Sequence, residues 1–318
     1  MITNALRDRL RCPDCRHPSL NLDSNVDEIV CTHCHAHFPL FRGHPVLLRH
    51  DNAVFPPGAY VGINPRVVRN SISRLARFIP SISVNLSSKR LLYTFFKSFA
   101  GQGNIYVLVV GCGTQRTWLD VSVAAFPQIH LFYCDIDTTA IVDCYCDAHE
   151  LPFKNGSFDG IITTAVLEHV LYPERVADEL HRVLSTEGIL YSELPFMQQV
   201  HEGAYDFTRY TLSGHRRLFN RFAEIDSGLV AGPATALVWA VENFALAFFA
   251  GHSMRLVIKT MVRLGCFWIK YFDYLFANKP QAIDGASCTY FFGQKKASPV
   301  SDRNIIEGYI GAKHLRHV

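Results

Sequence analysis

The sequence predicts an α/β protein built on a doubly wound, mostly parallel sheet. A small Cys-rich unit precedes the sheet, and a helical insertion stands before its last strand. Three observations carry this prediction. Strand-like apolar runs alternate with helical patterns between residues 105 and 294, with short links. Four of the ten cysteines stand as Cys12-Pro-Asp-Cys15 and Cys31-Thr-His-Cys34. An apolar stretch over 233–278 interrupts the strand pattern ahead of a final run, Ser287 to Gln294.

At 318 residues the chain exceeds one compact domain and fits a large domain with an appendage. With 49% hydrophobic residues it is not disordered. A net charge of +3 is too weak to argue for nucleic acid. Residues 1–50 hold the paired cysteines and six of the fifteen histidines. Met1 to Leu10 carries Arg7, Asp8 and Arg9 and no apolar core, which reads as no secretory signal. The six other cysteines sit mostly in apolar, strand-like runs. The expectation is a cytoplasmic chain with one metal site and scattered buried thiols.

Each C-x2-C turn presents two sulfurs to one ion, and fifteen residues separate the two turns. Cys12, Cys15, Cys31 and Cys34 therefore suit a tetrahedral structural zinc, whose binding energy replaces the core that fifty residues cannot build. His17, His33, His35, His37 and His44 are rival ligands and read as exposed loop residues. The expected organisation is a zinc ribbon over 1–50, a basic helical linker over 51–102, the main domain over 103–296 with its helical insertion at 233–278, and a tail over 297–318. Residues 61–100 carry seven basic and no acidic side chains, whereas 103–196 carry thirteen acidic and four basic ones.

Within the main domain, Ile105 to Val110 reads as a buried strand ending at Gly111. Ile129 to Cys134, Phe158 to Ala165, Ile189 to Leu194 and Phe222 to Val230 read likewise. Pro173 to Leu184 is a helix with Val176, Leu180, Val183 and Leu184 on one face. The turn Gly111-Cys-Gly113 lets the backbone approach a ligand, and Asp135 stands at a second strand's tip, where a carboxylate accepts ribose hydroxyls. No third glycine follows at dinucleotide spacing, which argues against NAD.

Val107-Leu-Val-Val-Gly111-Cys-Gly113-Thr-Gln115, Cys134-Asp-Ile-Asp137, Asp147-Ala-His-Glu-Leu-Pro-Phe153, Ser157-Phe-Asp159 and Leu167-Glu-His-Val170 together resemble the class I S-adenosylmethionine-dependent methyltransferases over about residues 104–196. The resemblance implies a seven-stranded sheet and S-adenosyl-L-methionine as cofactor. Gly111 and Gly113 would lie under its methionine part, Asp135 would hold the ribose, and Asp147 and Ala148 would meet the adenine. Two positions depart from the pattern: Val109 replaces the usual acid, and Gln115 replaces the last glycine. The N-terminal cysteines, with Phe38-Pro-Leu-Phe-Arg-Gly-His-Pro-Val-Leu-Leu48, resemble the zinc domain of the tRNA-methyltransferase activator family. Pro80 to Leu86 and the Gly-Pro-Ala-Thr-Ala-Leu phrase at 232–237 resemble, more loosely, bacterial methyltransferases of cell-surface sugars or lipid-linked intermediates.

Methyl transfer needs an aligned nucleophile and a group to take its proton. In the loop after the fifth strand, His201 is the preferred general base, Glu202 or Asp206 would orient it, and Arg209 would pair with an anionic acceptor. The alternative is a capping and salt-bridge network that closes this loop. Glu168 and His169 occupy a second loop, with a metal-assisted role as the lesser reading. Thr163-Thr-Ala-Val stands where an Asn-Pro-Pro-Tyr tetrad would mark amine methylation, so an oxygen acceptor is favoured: a small molecule, sugar or lipid-linked compound. An RNA substrate and a non-catalytic binding module are the alternatives, and the acidic core argues against RNA.

In the insertion, Ala234 to Ala250 is a helix candidate with Leu237, Val241, Phe244 and Phe248 on one face. Over Met254 to Phe276, residues Arg255, Lys259, Arg263, Lys270 and Asp273 share one narrow arc of a broadly apolar helix. That pattern suits an interfacial helix on an anionic membrane surface, and it also suits a lid or dimer helix packed within the protein, the favoured reading. The localisation expected is cytoplasmic, with peripheral contact to the inner face of the membrane as the extension.

Overall fold

The computed structural model describes residues 3–21, 28–60, 79–114 and 116–312. Gln115, most of the basic run (Arg66, Arg69, Arg74 and Arg77) and residues 313–318 lie outside the described residues. The first sheet is small and antiparallel: β1 (Leu20–Asn21), β2 (Glu28–Cys31), β3 (His37–Phe41) and β4 (His44–Pro45), in that order. The second has seven strands: β5 (Ile105–Val110), β6 (Ile129–Asp135), β7 (Cys144–Tyr145), β8 (Phe158–Thr164), β9 (Leu184–Pro195), β10 (Phe222–Ala231) and β11 (Cys288–Lys295). Their spatial order is β10-β11-β9-β8-β5-β6-β7. Only β11 runs against its neighbours, seated between β9 and β10. This is the doubly wound, mostly parallel seven-stranded sheet expected, with strand order reversing between β5 and β8.

The central strands form where apolar residues run nearly without a break. All of β5 but Tyr106 is buried, as suits a strand covered on both faces. The helix Pro173–Val183 begins with proline in its first turn and buries Val176, Ala177, Leu180 and Val183 at helical spacing. The helix Ser88–Lys97 buries Leu91, Leu92, Phe95 and Phe96 in the same core as β5 and β9 and leaves Lys89, Arg90 and Lys97 outside. Its start is fixed by the Asn85 side chain, which accepts the Ser88 N–H at 2.9 Å, and by Ser87, whose hydroxyl donates to the Leu229 carbonyl at 2.6 Å. Two strands escaped the sequence reading in part. β7 is two residues long and has no period to detect, and β9 begins five residues early.

The Cys-rich unit is joined to the sheet rather than tethered beside it. Val46 forms a parallel bridge to Tyr145 of β7, and the Leu47 N–H donates to the Tyr145 carbonyl at 2.8 Å. Leu10 bridges Phe153, and the Arg9 guanidinium lies 3.4 Å over the Tyr106 ring. Leu6, Leu10, Cys12, Ile29, Cys31 and Phe38 belong to one continuous core with Leu108, Phe153 and Phe158. Small units with too little apolar volume gain stability by such sharing.

The insertion is a hairpin of Pro233–Leu246 and His252–Cys266 followed by short turns to Phe276. Its polar stripe packs against the first helix of the hairpin and the neighbouring loop, as the lid-or-packing alternative expects. Arg263 donates to Glu242 at 2.6 and 3.2 Å, and Lys259 lies 3.9 Å from the same carboxylate. Arg255 donates to the Leu246 carbonyl at 2.9 Å, and Lys270 donates to the Ser81 carbonyl. The buried Asp273 accepts N–H groups of Gly232, Ala234 and Thr235, capping the first helix. The physical reason is that burying Glu242 requires cationic partners. The outer face is therefore apolar: Phe244 is 69% exposed, Phe248 70% and Met261 63%. No residue of His252–Cys266 is buried.

Candidate functional site

The site lies at the carboxyl ends of β5, β6, β7, β8 and β9. After β5 the chain turns through Gly111 (φ +70°) and Gly113 (φ +57°), a conformation that favours glycine. A Cβ on Gly111 would stand 2.2 Å from Val166 Cγ2, so the turn is packed against the loop after β8. Nothing lies within 4 Å of a Cβ on Gly113, so the outer side of the turn is open. Asp135, at the tip of β6, accepts the Gly113 N–H at 2.8 Å, the Ile136 N–H at 2.7 Å and the Asp137 N–H at 3.0 Å. Burial pushes its carboxyl up from the usual value against these donors. Val109 is buried in the core behind the turn.

Asp147 follows β7 and caps the turn Ala148–Glu150 by accepting the His149 N–H at 2.9 Å. Its other oxygen accepts from the Asn52 amide at 2.8 Å. Burial raises the Asp147 carboxyl, but the hydrogen bonds from His149 outweigh it and leave it below the ordinary value. Asn52 belongs to a segment, 46–60, that crosses the cleft: Phe55 stacks on Tyr205 at 6.2 Å, and the Tyr60 hydroxyl donates to the Ile136 carbonyl. Sequence reasoning missed Asn52, Phe55 and Tyr60, because no spacing or period marks them. An open glycine turn beside two strand-end carboxylates fits an adenosine-type cofactor.

The acceptor side joins two loops. Ala165, at the exit of β8, takes φ +54°, a strained value for a residue with a Cβ. The chain then buries Glu168, 1% exposed, with neither carboxylate oxygen hydrogen-bonded. Burial pushes its carboxyl up to about 7. The loop after β9 carries His201 over the same spot, and the His169 and His201 rings meet edge to face at 4.9 Å. The sequence placed these residues in separate loops, and the fold brings them together.

His201 is braced by Asp206, whose Oδ2 accepts the His201 backbone N–H at 2.9 Å and lies 3.5 Å from Nδ1. Glu202 is exposed, and its backbone N–H faces Asp206 at 3.5 Å. Arg209 spends its five donors inside the loop, on both oxygens of Asp206 and on the carbonyls of Gln198, Gln199 and Thr208. Burial pushes the Asp206 carboxyl up, but Arg209 and the loop N–H groups hold it well below the usual range. An open cavity of about 470 Å³ adjoins this loop, lined by Gln198, Val200, Asp206, Phe207, Arg209 and Asn243.

The two cysteine turns repeat one geometry. The Arg16 N–H donates to the Cys12 carbonyl and the His35 N–H to the Cys31 carbonyl, each at 2.9 Å, and Arg16 and His35 take φ +62° and +60°. Sulfurs of Cys12 and Cys34 are 3.7 Å apart, and those of Cys15 and Cys31 3.6 Å. A tetrahedron with metal–sulfur bonds of about 2.3 Å has edges of about 3.8 Å, so the four thiols fit one ion. None of the rival histidines joins this group among the described residues.

The sheet order with its one reversed strand, the glycine turn and the strand-end carboxylates define the class I methyltransferase fold. In agreement, residues 108–192 match the family model described as a methyltransferase domain, and the chain carries an S-adenosylmethionine-dependent methyltransferase domain. No curated protein matches the chain by sequence. Among solved structures the chain is similar to the O-methyltransferase from a trans-AT PKS multienzyme of Brevibacillus brevis, in complex with S-adenosyl-L-homocysteine. Identity there is 14%, over 70% of this chain and 76% of that one, with a TM-score of 0.45. It is also similar to the 1,6-didemethyltoxoflavin-N1-methyltransferase of Burkholderia thailandensis (13% identity, 66% and 79% covered, TM-score 0.39). A third similar structure is the [4+2]-cyclase SpnF (16% identity, 71% and 90% covered, TM-score 0.42).

Proposed function

We propose that the chain transfers the methyl group of S-adenosyl-L-methionine to an oxygen of a small-molecule, sugar or lipid-linked acceptor. The observation that carries this reading is the open cavity between the loop after β9 and Asn243 of the insertion, beside the imidazole cluster. The hairpin gives this cavity Asn243, and its separate outer face is apolar, which favours an acceptor presented at a lipid surface. Gly111 and Gly113 would lie under the methionine part of the cofactor, Asp135 would hold its ribose, and Asp147 and Ala148 would meet its adenine. The acceptor's proton leaves at the imidazole cluster, where His201 is the most open member and Asp206 orients it. Arg209 serves by fixing the loop rather than by meeting an anionic group, since its donors are spent. The four cysteines hold a structural zinc, and their closed shell leaves no position for substrate.

Among the described residues no helix is long and apolar enough to cross a membrane. In this reading the hairpin contacts the membrane surface from the cytoplasmic side through its apolar face, with anionic lipid secondary because the cations of the stripe face inward. Isothermal titration with S-adenosyl-L-methionine tests the enzyme reading. Binding by the wild type and loss on Asp135→Ala are expected, and no heat from the wild type overturns it. Flotation with phosphatidylcholine vesicles, with and without anionic lipid, tests the surface contact, and absence of flotation on both discards it.

A further inference from the structure

Three side chains on the acceptor side meet with no hydrogen bond joining them. The His169 Nδ1 lies 2.7 Å from the Tyr205 carbonyl. Only an N–H can face a carbonyl at that distance, so Nδ1 carries the ring proton and Nε2 keeps a lone pair. That Nε2 is 3.6 Å from the Glu168 Oε1. The same argument applies to His201. Its Nδ1 faces the Gln199 carbonyl at 3.2 Å and the Asp206 carboxylate at 3.5 Å, so its lone pair also sits on Nε2. Glu168 is buried, and both of its oxygens lack a hydrogen-bond partner. One ligating atom from each of the three residues lies within 4.8 Å of the others.

A buried carboxylate without a hydrogen-bond donor is costly to ionise, and a cation held between it and two imidazole nitrogens removes that cost. The outer bonds follow the pattern of metal-binding histidines, in which the far ring nitrogen donates to a carbonyl or carboxylate and fixes the tautomer. We infer that Glu168, His169 and His201 form a site for one first-row divalent cation, with two imidazoles and one carboxylate on one face. The other face of the ion is left for an acceptor oxygen and water.

The inference rests on the reading of this side as the acceptor site and specifies how the acceptor is ionised. The acceptor hydroxyl would bind the cation and lose its proton to water, which replaces the base role given to His201 above. The resulting alkoxide attacks the methyl carbon of the sulfonium, forming the C–O bond. The C–S bond breaks with its electron pair going to sulfur, which leaves S-adenosyl-L-homocysteine. His201 is then a ligand, held by Asp206 from behind.

The test uses the full chain with its cysteine site loaded with zinc, titrated with Mn²⁺ alone and followed by the loss of the free-ion signal in electron paramagnetic resonance. One Mn²⁺ per chain is expected. His201→Ala, whose side chain lies at the surface, and Glu168→Gln should each weaken it by about tenfold or more. S-adenosyl-L-methionine titrations should show that both variants still bind cofactor. Absence of stoichiometric Mn²⁺ binding by a wild-type chain that binds cofactor overturns the cation site alone. So does a His201→Ala chain that titrates like the wild type. Mn²⁺ uptake by a chain that binds no cofactor supports the site and overturns the methyltransferase reading.

Discussion

The molecule carries two clusters of ligating side chains, and they are built in opposite ways. The four cysteines close on one another from two turns of identical geometry, at separations set by a tetrahedron. Glu168, His169 and His201 come from two loops more than thirty residues apart and offer three ligating atoms, one fewer than the cysteines. A closed shell leaves an ion no vacancy, so it can stabilise but not react. A half-open one beside a cavity can take a substrate atom.

The largest effect expected is on the closed cluster. Cys31→Ser should lower stability by several kcal/mol, because Cys31 is fully buried in the core shared with β5 and β8. Thermal unfolding would register it as a fall in midpoint for the whole molecule. Loss confined to a small, separate transition would break the claim of a shared core.

On the open cluster the effects separate. His201→Ala should cut methyl transfer by about 10²-fold or more, while its unfolding midpoint moves little. Unfolding and single-turnover rates measured on one preparation check this. Equal damage to both would make the cluster a second structural element.

A smaller effect comes from a histidine in neither cluster. His215 is fully buried, bonded to Thr289 and Ser192, and burial holds its pKa down at about 3. The unfolded chain binds its proton near pH 6.5 while the folded chain does not. The neutral His215 therefore gives its full stability above about pH 6.5, and stability falls as pH drops from there toward 3. Urea midpoints at pH 7.5 and 5 should differ more for the wild type than for His215→Gln. The smallest effect is on Asn52→Ala, which removes one amide donor from the Asp147 carboxylate, itself still held by His149. Cofactor affinity should change by about tenfold at most, in either direction, as titration calorimetry can read.

The glycine turn and the strand-end carboxylates were legible in the sequence, and the meeting of the two later loops was not, for one reason. Gly111, Gly113, Asp135 and Asp147 work through local backbone, such as a positive φ or a carboxylate accepting N–H groups one or two residues on. Local rules recover such residues. Glu168 and His201 acquire meaning only by meeting, and no period encodes a meeting of two loops. Asn52 is a sharper case, since an isolated asparagine in an irregular segment carries no pattern at all. The hairpin shows a different limit. Helical spacing grouped Arg255, Lys259 and Arg263 on one helix, but that helix ends at Cys266, so Lys270 and Asp273 stand in the short elements after it, and spacing cannot tell inside from outside. The buried Glu242 decides that, by drawing Lys259 and Arg263 inward. β5, β6 and β8 were recovered to within a residue at each end because unbroken apolar runs leave a buried strand few alternatives.

The contact between the Arg9 side chain and the Ser157 carbonyl closes a span of 148 positions. Leu10 and Phe153 close nearly the same span by backbone. During synthesis the first fifty residues therefore leave the ribosome well before the sheet edge they complete has been made. At a few residues to about twenty residues per second, that interval is several seconds or more. Through it the cysteine turns can take up their ion, but Leu6, Leu10 and Phe38 have nothing to cover them. The Cys-rich unit is thus made before the sheet edge that completes it. A chaperone that shelters a short apolar surface for those seconds would act here, and the molten interval ends only when β7 offers its edge to Val46.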